Sequence, residues 1–135
     1  MDPIPDWPPG TVAVLATAGA GGPHAIPVST ALRAGPRTVL LALARSRGSL
    51  ARLRAEPRCA LALHAAGVAV TLRGRATVAG EAAGAVAVRL DVEHVDDHDR
   101  PTFSIEGGVH WRWTDAQAER VDAEVRAALR ALAGA

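Results

Sequence analysis

Apolar and polar residues alternate with a period of two along most of this chain, and a helical period replaces it in only two places. The alternation is clearest at Val86, Val88, Leu90 and Val92, with Ala87, Arg89, Asp91 and Glu93 between them, which predicts a half-buried strand. Residues 68–78 repeat the pattern. There Val70, Leu72, Gly74, Ala76 and Val78 fall on one side, and Thr71, Arg73, Arg75 and Thr77 on the other. The β-branched run at residues 11–17 (TVAVLAT) predicts a strand, and the Gly-rich residues 18–22 join it as a hairpin to residues 24–33. A turn at residues 34–37 introduces a strand at residues 38–44. Residues 59–64 pair with residues 68–78, an Asp- and His-rich loop spans residues 95–102, and residues 109–113 form a last strand.

The first helical stretch covers residues 47–55. It stops at Glu56, because the residue before Pro57 is steered out of helical geometry. The second covers residues 115–133, opened by a capping box of Thr114 and Gln117. Its apolar positions Val121, Val125, Ala128, Leu129 and Leu132 line one face, which must lie on the sheet or on a second subunit. Seven short strands with one inserted and one terminal helix predict a mainly β fold, an antiparallel barrel with α attachments. At 135 residues the chain fits a single domain with its own core, preceded by a Pro-rich arm at residues 1–10.

Composition narrows the function classes. Residues are 49% hydrophobic and 21% charged, a balance that excludes a disordered chain. All 15 basic residues are Arg, and Lys, Asn and Tyr are absent, so part of the arginine signal is compositional background. A net charge of +1 is too small for electrostatic capture of nucleic acid. No apolar run reaches the roughly 18 residues of a membrane helix, residues 59–70 being interrupted by His64 and Gly67. The opening MDPIPDWPPG lacks the basic start and apolar run of a secretory signal, so a cytoplasmic location is expected. Cys59 can form no internal disulfide and sits among Ala and Leu, the setting of a small buried hydrophobe.

Residues 39–63 carry the densest candidate chemistry. They read as strand, polar turn, Arg-rich helix, stop and strand. Ser46, Ser49, Arg45, Arg47 and Arg52 gather where the helix begins, and the free N–H groups of a helix start favour a phosphate. Guanidinium groups add bidentate charge-assisted hydrogen bonds suited to phosphate oxygens. The same residues also read as a helix capped by Ser46 with a solvated arginine face.

Other constellations carry less. The glycines of residues 18–22 are followed by Pro23 and a β-prone run, not by the helix that a dinucleotide fingerprint needs. Glu93, His94, Asp96, Asp97, His98 and Asp99 offer six possible metal ligands, but neighbours on a strand alternate faces, so a strand end entering a solvated acidic loop is the better account. Trp111 and Trp113 share a face if the chain is extended there. They pack under the terminal helix or at a subunit interface, or else stack on a ring or cap a pocket. Trp7 clamps a partner subunit or lies in a frayed arm. No serine lies in a GxSxG elbow, and spacing pairs no Ser or Cys with His24, His64 or His110, which disfavours a hydrolase.

In element order, and in the stretches GTVAVLATAGAGGPHAIPVST, LARLRAEPRCALAL and TLRGRATVAGE, the chain resembles the split β-barrel flavoproteins related to pyridoxamine 5'-phosphate oxidase, including the deazaflavin (F420) oxidoreductases, across residues 10–114. The resemblance implies a homodimer with FMN or F420 in a groove at the subunit interface. It implies a cofactor phosphate held around Arg45, Ser46, Arg47, Ser49 and Arg52, and the flavin ring beside Pro27, Val28, Ser29 and Thr30. Hydride passes through the cofactor to a small-molecule substrate, so the protein's part is to position and tune. One departure stands out. The family often has Arg-Lys or Ser-x-Lys before the short helix, whereas Gly48 and Ser49 stand here and the chain has no lysine. Arg45, Arg47 or Arg52 would have to replace it, and a cofactor-free or haem-binding barrel without redox activity is the alternative.

Overall fold

A computed structural model describes residues 3–19 and 21–134. Met1 and Asp2 of the arm, Ala20 of the glycine turn and the terminal Ala135 lie outside the described residues. The elements run β1 (Ala13–Thr17), β2 (His24–Val28), β3 (Leu32–Gly35), β4 (Thr38–Leu43), α1 (Gly48–Ala55), β5 (Arg58–Ala65), β6 (Val68–Ala82), β7 (Ala85–Asp97) and α2 (Ala116–Ala133). One antiparallel sheet holds all seven strands in the order β2-β1-β5-β6-β7-β4-β3. Its two edge strands, β2 and β3, are consecutive in the chain, so residues 29–31 carry the sheet round from one edge to the other. The result is a split β-barrel.

Inside the barrel, Leu15, Leu41, Leu61, Leu63, Leu72 and Leu90 form one buried core with Val39, Val88 and Val92. The period-two faces predicted for β6 and β7 supply it. β4 reads as a continuous apolar run because both of its faces are covered: Val39, Leu41 and Leu43 point inward, and Leu40 points outward beneath α2. There Val125 and Leu129 pack on Leu40, Ala82 and Ala87, which assigns the helix's apolar face to the sheet of its own chain. Val121 stays exposed. The arm is fastened too. Ile4 N donates to Pro36 O (2.9 Å), Arg33 Nε to Ile4 O (3.1 Å), and Trp7 Nε1 to Ala31 O (3.0 Å), so the partly buried Trp7 is held on its own barrel and not in a frayed arm.

Several expectations are corrected. Residues 109–113 are an extended coil with no sheet partner, and the seventh strand arises because residues 24–33 break into β2 and β3. The break occurs where the Thr30 hydroxyl takes the Ala42 N–H (3.0 Å) in place of a backbone acceptor. β6 and β7 are longer than their periodicity suggests, and β7 runs through Asp97, so the first part of the supposed acidic loop is strand. Val78, expected on the covered face, is 48% exposed and lines a depression beside α1 with Leu50, Leu53 and Val88, just before the ladder register shifts between Val78 and Gly80. α2 is capped not by Thr114 but by Asp115, whose Oδ1 accepts from the N–H groups of Gln117 (2.8 Å) and Ala118 (3.2 Å). Among the described residues no helix is long and apolar enough to cross a membrane.

Candidate functional site

β4 delivers the chain to the start of α1. Arg47 occupies the N-cap position in extended geometry, and no side chain caps the helix, so Ser46 is exposed without the capping role open to it. In the first turn Leu50 N donates to Arg47 O (3.1 Å), which leaves the Gly48 and Ser49 amides without an intrahelical acceptor. Ser49 is 2% exposed, set between the helix and the core that Leu50 and Leu53 enter.

The arginines divide by partner. Arg45 pairs with Glu81 of β6. Arg52 donates through Nε to the buried Thr17 Oγ1 (3.0 Å) and through a terminal nitrogen to Gly22 O, so it fastens α1 to the β1–β2 hairpin. The Arg47 side chain is exposed and has no hydrogen bond or ion pair among the described residues. Of the five predicted anion ligands, Ser46, Arg47 and Ser49 are thus gathered at one helix end, while Arg45 and Arg52 already serve the fold.

The stretch expected beside a flavin ring lies close by. Val28 is a core residue, and Thr30 is held on the Ala42 backbone, which sets residues 28–30 beside the end of β4 that continues into Arg45. Ser29 Oγ donates to Asp122 Oδ1 of α2 (2.8 Å), and Arg126 Nε donates to Asp122 Oδ2 (2.8 Å). Pro27 is exposed. Pro27 and Ser29 look outward, and with Val12 and Val28 they line an open cavity of about 310 Å3 whose other wall is Val109, Trp111 and Trp113. The tryptophans reach it from a coil and not from a strand; their spacing of two was the only trace of this in the sequence.

A second groove of about 430 Å3 runs past Thr17, Arg58, Cys59, Arg73, Glu93 and His94. Burial pushes the Cys59 thiol up to about 11, so it stays protonated at neutral pH and is no nucleophile. Arg73 forks onto Asp96 (2.6 and 3.3 Å), and that hydrogen bonding holds the Asp96 carboxyl below its ordinary value. Arg75 faces Glu93 (3.7 Å), and Thr71 Oγ1 is 2.9 Å from His98 Nε2. The acidic stretch is thus engaged across the β6–β7 ladder, and no group of three His, Cys, Asp or Glu among the described residues is arranged to hold a metal.

A model of the pyridoxamine 5'-phosphate oxidase family matches residues 8–129. The chain belongs to that family. Solved structures agree with the family's fold. A putative pyridoxamine 5'-phosphate oxidase from Lactobacillus delbrueckii is similar at 20% identity and TM-score 0.57, over 64% of this chain and 84% of that one. HupZ from Group A Streptococcus is similar at 14% identity and TM-score 0.57 (74% and 90%). A FAD-binding protein from Mesorhizobium loti is similar at 18% identity and TM-score 0.54 (63% and 83%). No curated protein matches the chain. As a family member the protein carries the split barrel without the lysine that often precedes the short helix, and Arg47 is the cation left at that place.

Proposed function

We propose that the protein is a cytoplasmic, homodimeric oxidoreductase that holds FMN or F420, with the cofactor phosphate at the start of α1 and its ring toward Pro27 and Ser29. The observation that carries this reading is the open N-terminal end of α1. It offers uncapped amides, the exposed Ser46 hydroxyl and a guanidinium, Arg47, that nothing in the described fold occupies. This donor set fits a phosphate. Family membership supports the reading, and so does the FAD-binding neighbour. When bound, the cofactor supplies the hydride chemistry, and the residues of this chain bind and orient it. The outer face of β2-β1-β5, where Val14 and Pro27 stand exposed, suits a second copy of the chain.

The test is a parallel titration of the purified protein with FMN and with F420, following the fluorescence of each. Stoichiometric binding of one fixes the cofactor. Binding of neither at saturating concentration sinks the reading. A second reading, a cofactor-free or haem-binding barrel, draws on the engagement of Arg45 with Glu81 and of Arg52 with Thr17, which leaves a single guanidinium for a phosphate. It predicts no flavin binding, and for the haem version a Soret band on haem addition.

A further inference from the structure

Between α1 and β6 the fold leaves an apolar slot that no described side chain fills. Leu50 and Leu53 of the helix, Pro57 at its exit, Ala76 and Val78 of β6 and Val88 of β7 surround about 200 Å3. Its shape follows from the sequence. Leu72, Gly74, Ala76 and Val78 share one side of β6 by their spacing of two, and the small Ala76 leaves room where a longer side chain would stand. Pro57 ends the helical stretch, and Ala76 N donates to Pro57 O (2.8 Å), which ties the helix exit to β6 two residues before Val78. Val78 lies past that tie and stays open to water, while Val88, its partner across the ladder, is buried. A valine in core phase, exposed at the mouth of a slot floored by buried leucines, is apolar surface that a ligand would cover with a gain in free energy.

The slot is apolar at its floor and cationic at its mouth. Arg54 and Thr77 are its polar lining residues, and both are exposed. Of the arginines on α1, β6 and β7, Arg52 is fastened to Thr17, Arg73 to Asp96 and Arg89 to Asp91, and Arg75 faces Glu93. Arg54 is the one that has no hydrogen bond or ion pair among the described residues. The carboxylates that flank the slot along the chain are taken as well, Glu56 by Arg58 and Glu81 by Arg45. A guanidinium able to fork onto a carboxylate, above an opening lined by aliphatic side chains, suits an amphipathic anion and repels an ammonium. Size sets the rest. The space of about 200 Å3 falls below the roughly 300–1,000 Å3 of sites for drug-sized molecules, so it takes a single hydrocarbon chain and not a substituted ring system.

We infer that this slot binds a free medium-chain aliphatic carboxylate, with the chain along Leu50, Leu53, Val78 and Val88 and the carboxylate on Arg54. None of these residues belongs to the place proposed for the cofactor, so the site stands or falls independently of the oxidoreductase reading.

Methyl NMR tests this on the full chain without added cofactor. Leu and Val methyls are labelled with 13C, and the protein is titrated with octanoate, 1-octanol and octylammonium, each below the concentration at which it forms micelles. Val121, exposed on α2, is the reference for chains that coat any apolar surface. The expected result is saturable movement of the Leu50, Leu53, Val78 and Val88 signals with octanoate and a still Val121 signal. Binding should tighten about fourfold per methylene from butanoate onward and level off by decanoate as the slot fills. Arg54→Gln should weaken octanoate binding about three- to tenfold and leave 1-octanol binding unchanged. Val78→Phe, which sets a ring in the opening, should end the binding of both while circular dichroism shows the fold retained. Octanoate that moves no slot signal up to its solubility limit overturns the inference. So does octanoate that binds no tighter than octylammonium, an Arg54→Gln variant that binds octanoate as before, or a Val121 signal that moves in step with those of the slot.

Discussion

Arg52 lies in the cluster expected to hold an anion, and the fold uses it as a fastener, which makes Arg52→Ala a decisive substitution. Its Nε donates to Thr17 Oγ1 (3.0 Å), a hydroxyl on a residue only 3% exposed, and a second nitrogen donates to Gly22 O in the β1–β2 turn. Removing a charged hydrogen bond costs about 1.5–3 kcal/mol, and leaving the buried hydroxyl without its donor adds to it, so a loss of about 2–4 kcal/mol is expected. For a domain of this size that is a fall in Tm of roughly 6–20 °C. Thermal and urea unfolding followed by circular dichroism measure it. Thr17→Val removes the acceptor from the other side, and its effect should be strongly non-additive with Arg52→Ala. Arg47→Ala is the contrast. With no protein partner, its loss should leave Tm within about 2 °C and weaken cofactor binding by about 10- to 150-fold, the worth of a charged hydrogen bond to phosphate. An unchanged Tm in Arg52→Ala together with weakened cofactor binding would refute the division of labour between these arginines.

Three further outcomes are expected. Cys59, raised from 9.0 to about 11 by burial, should react with iodoacetamide at pH 8 about 100-fold more slowly than a free thiol, because the thiolate fraction falls tenfold for each unit by which the pKa rises. Because the folded value lies above the unfolded one, the stability it confers is full below about pH 9 and is lost as pH rises toward 11, by up to about 2–3 kcal/mol; urea unfolding at pH 8 and 10.5 should show this loss, and Cys59→Ala should abolish it. Gly74→Ala would set a Cβ 1.9 Å from Asp91 O at the register shift between β6 and β7, so a loss of more than about 3 kcal/mol is expected, and a soluble variant with unaltered Tm would contradict it. Ala83 sits at φ 47 beside Gly84 at φ 89 in the β6–β7 turn, so Ala83→Asn should raise stability by about 0.5–1 kcal/mol, checked by the urea midpoint.

Most of the barrel was legible because most of its strands have one covered face and one open face, the condition under which a period of two appears. The same period misled at residues 109–113. Val109, Trp111 and Trp113 alternate along a coil that faces residues 27–29 across a cavity, so alternation there reports one shared side and not a hydrogen-bonded ladder. The break at residues 29–31 was hidden for the converse reason: the apolar pattern runs on through Thr30 while its hydroxyl replaces a ladder acceptor. The candidate anion site was legible as a neighbourhood and illegible in its roles. Which arginine is left for a ligand depends on Glu81, 36 residues from Arg45, and on Thr17 and Gly22, 35 and 30 residues from Arg52, and no local pattern records those partners.

The outer surface of the sheet carries the same rule further. On the half formed by β4 and β7 the outward residues include Leu40 and Ala87, and α2 covers them with Val125 and Leu129. On the half formed by β2, β1 and β5 the outward residues are again small and apolar, with Val14 between Pro27 and Ala62 and Ala16 between Ala25 and Ala60 in register, yet Val14 is 41% exposed. A sheet face meant for water would carry polar residues at these positions, as β6 does with Arg73, Arg75 and Thr77. One half finds its cover within the chain and the other does not, and a flat, regular, apolar face of that kind suits the proposed second copy across a two-fold axis. On that argument the proposed dimer would follow from where the long helix α2 lies. Analytical ultracentrifugation of Val14→Arg would decide it: the substitution points a charge outward from β1, so the fold should persist while the dimer falls apart, and an intact dimer would place the second copy elsewhere.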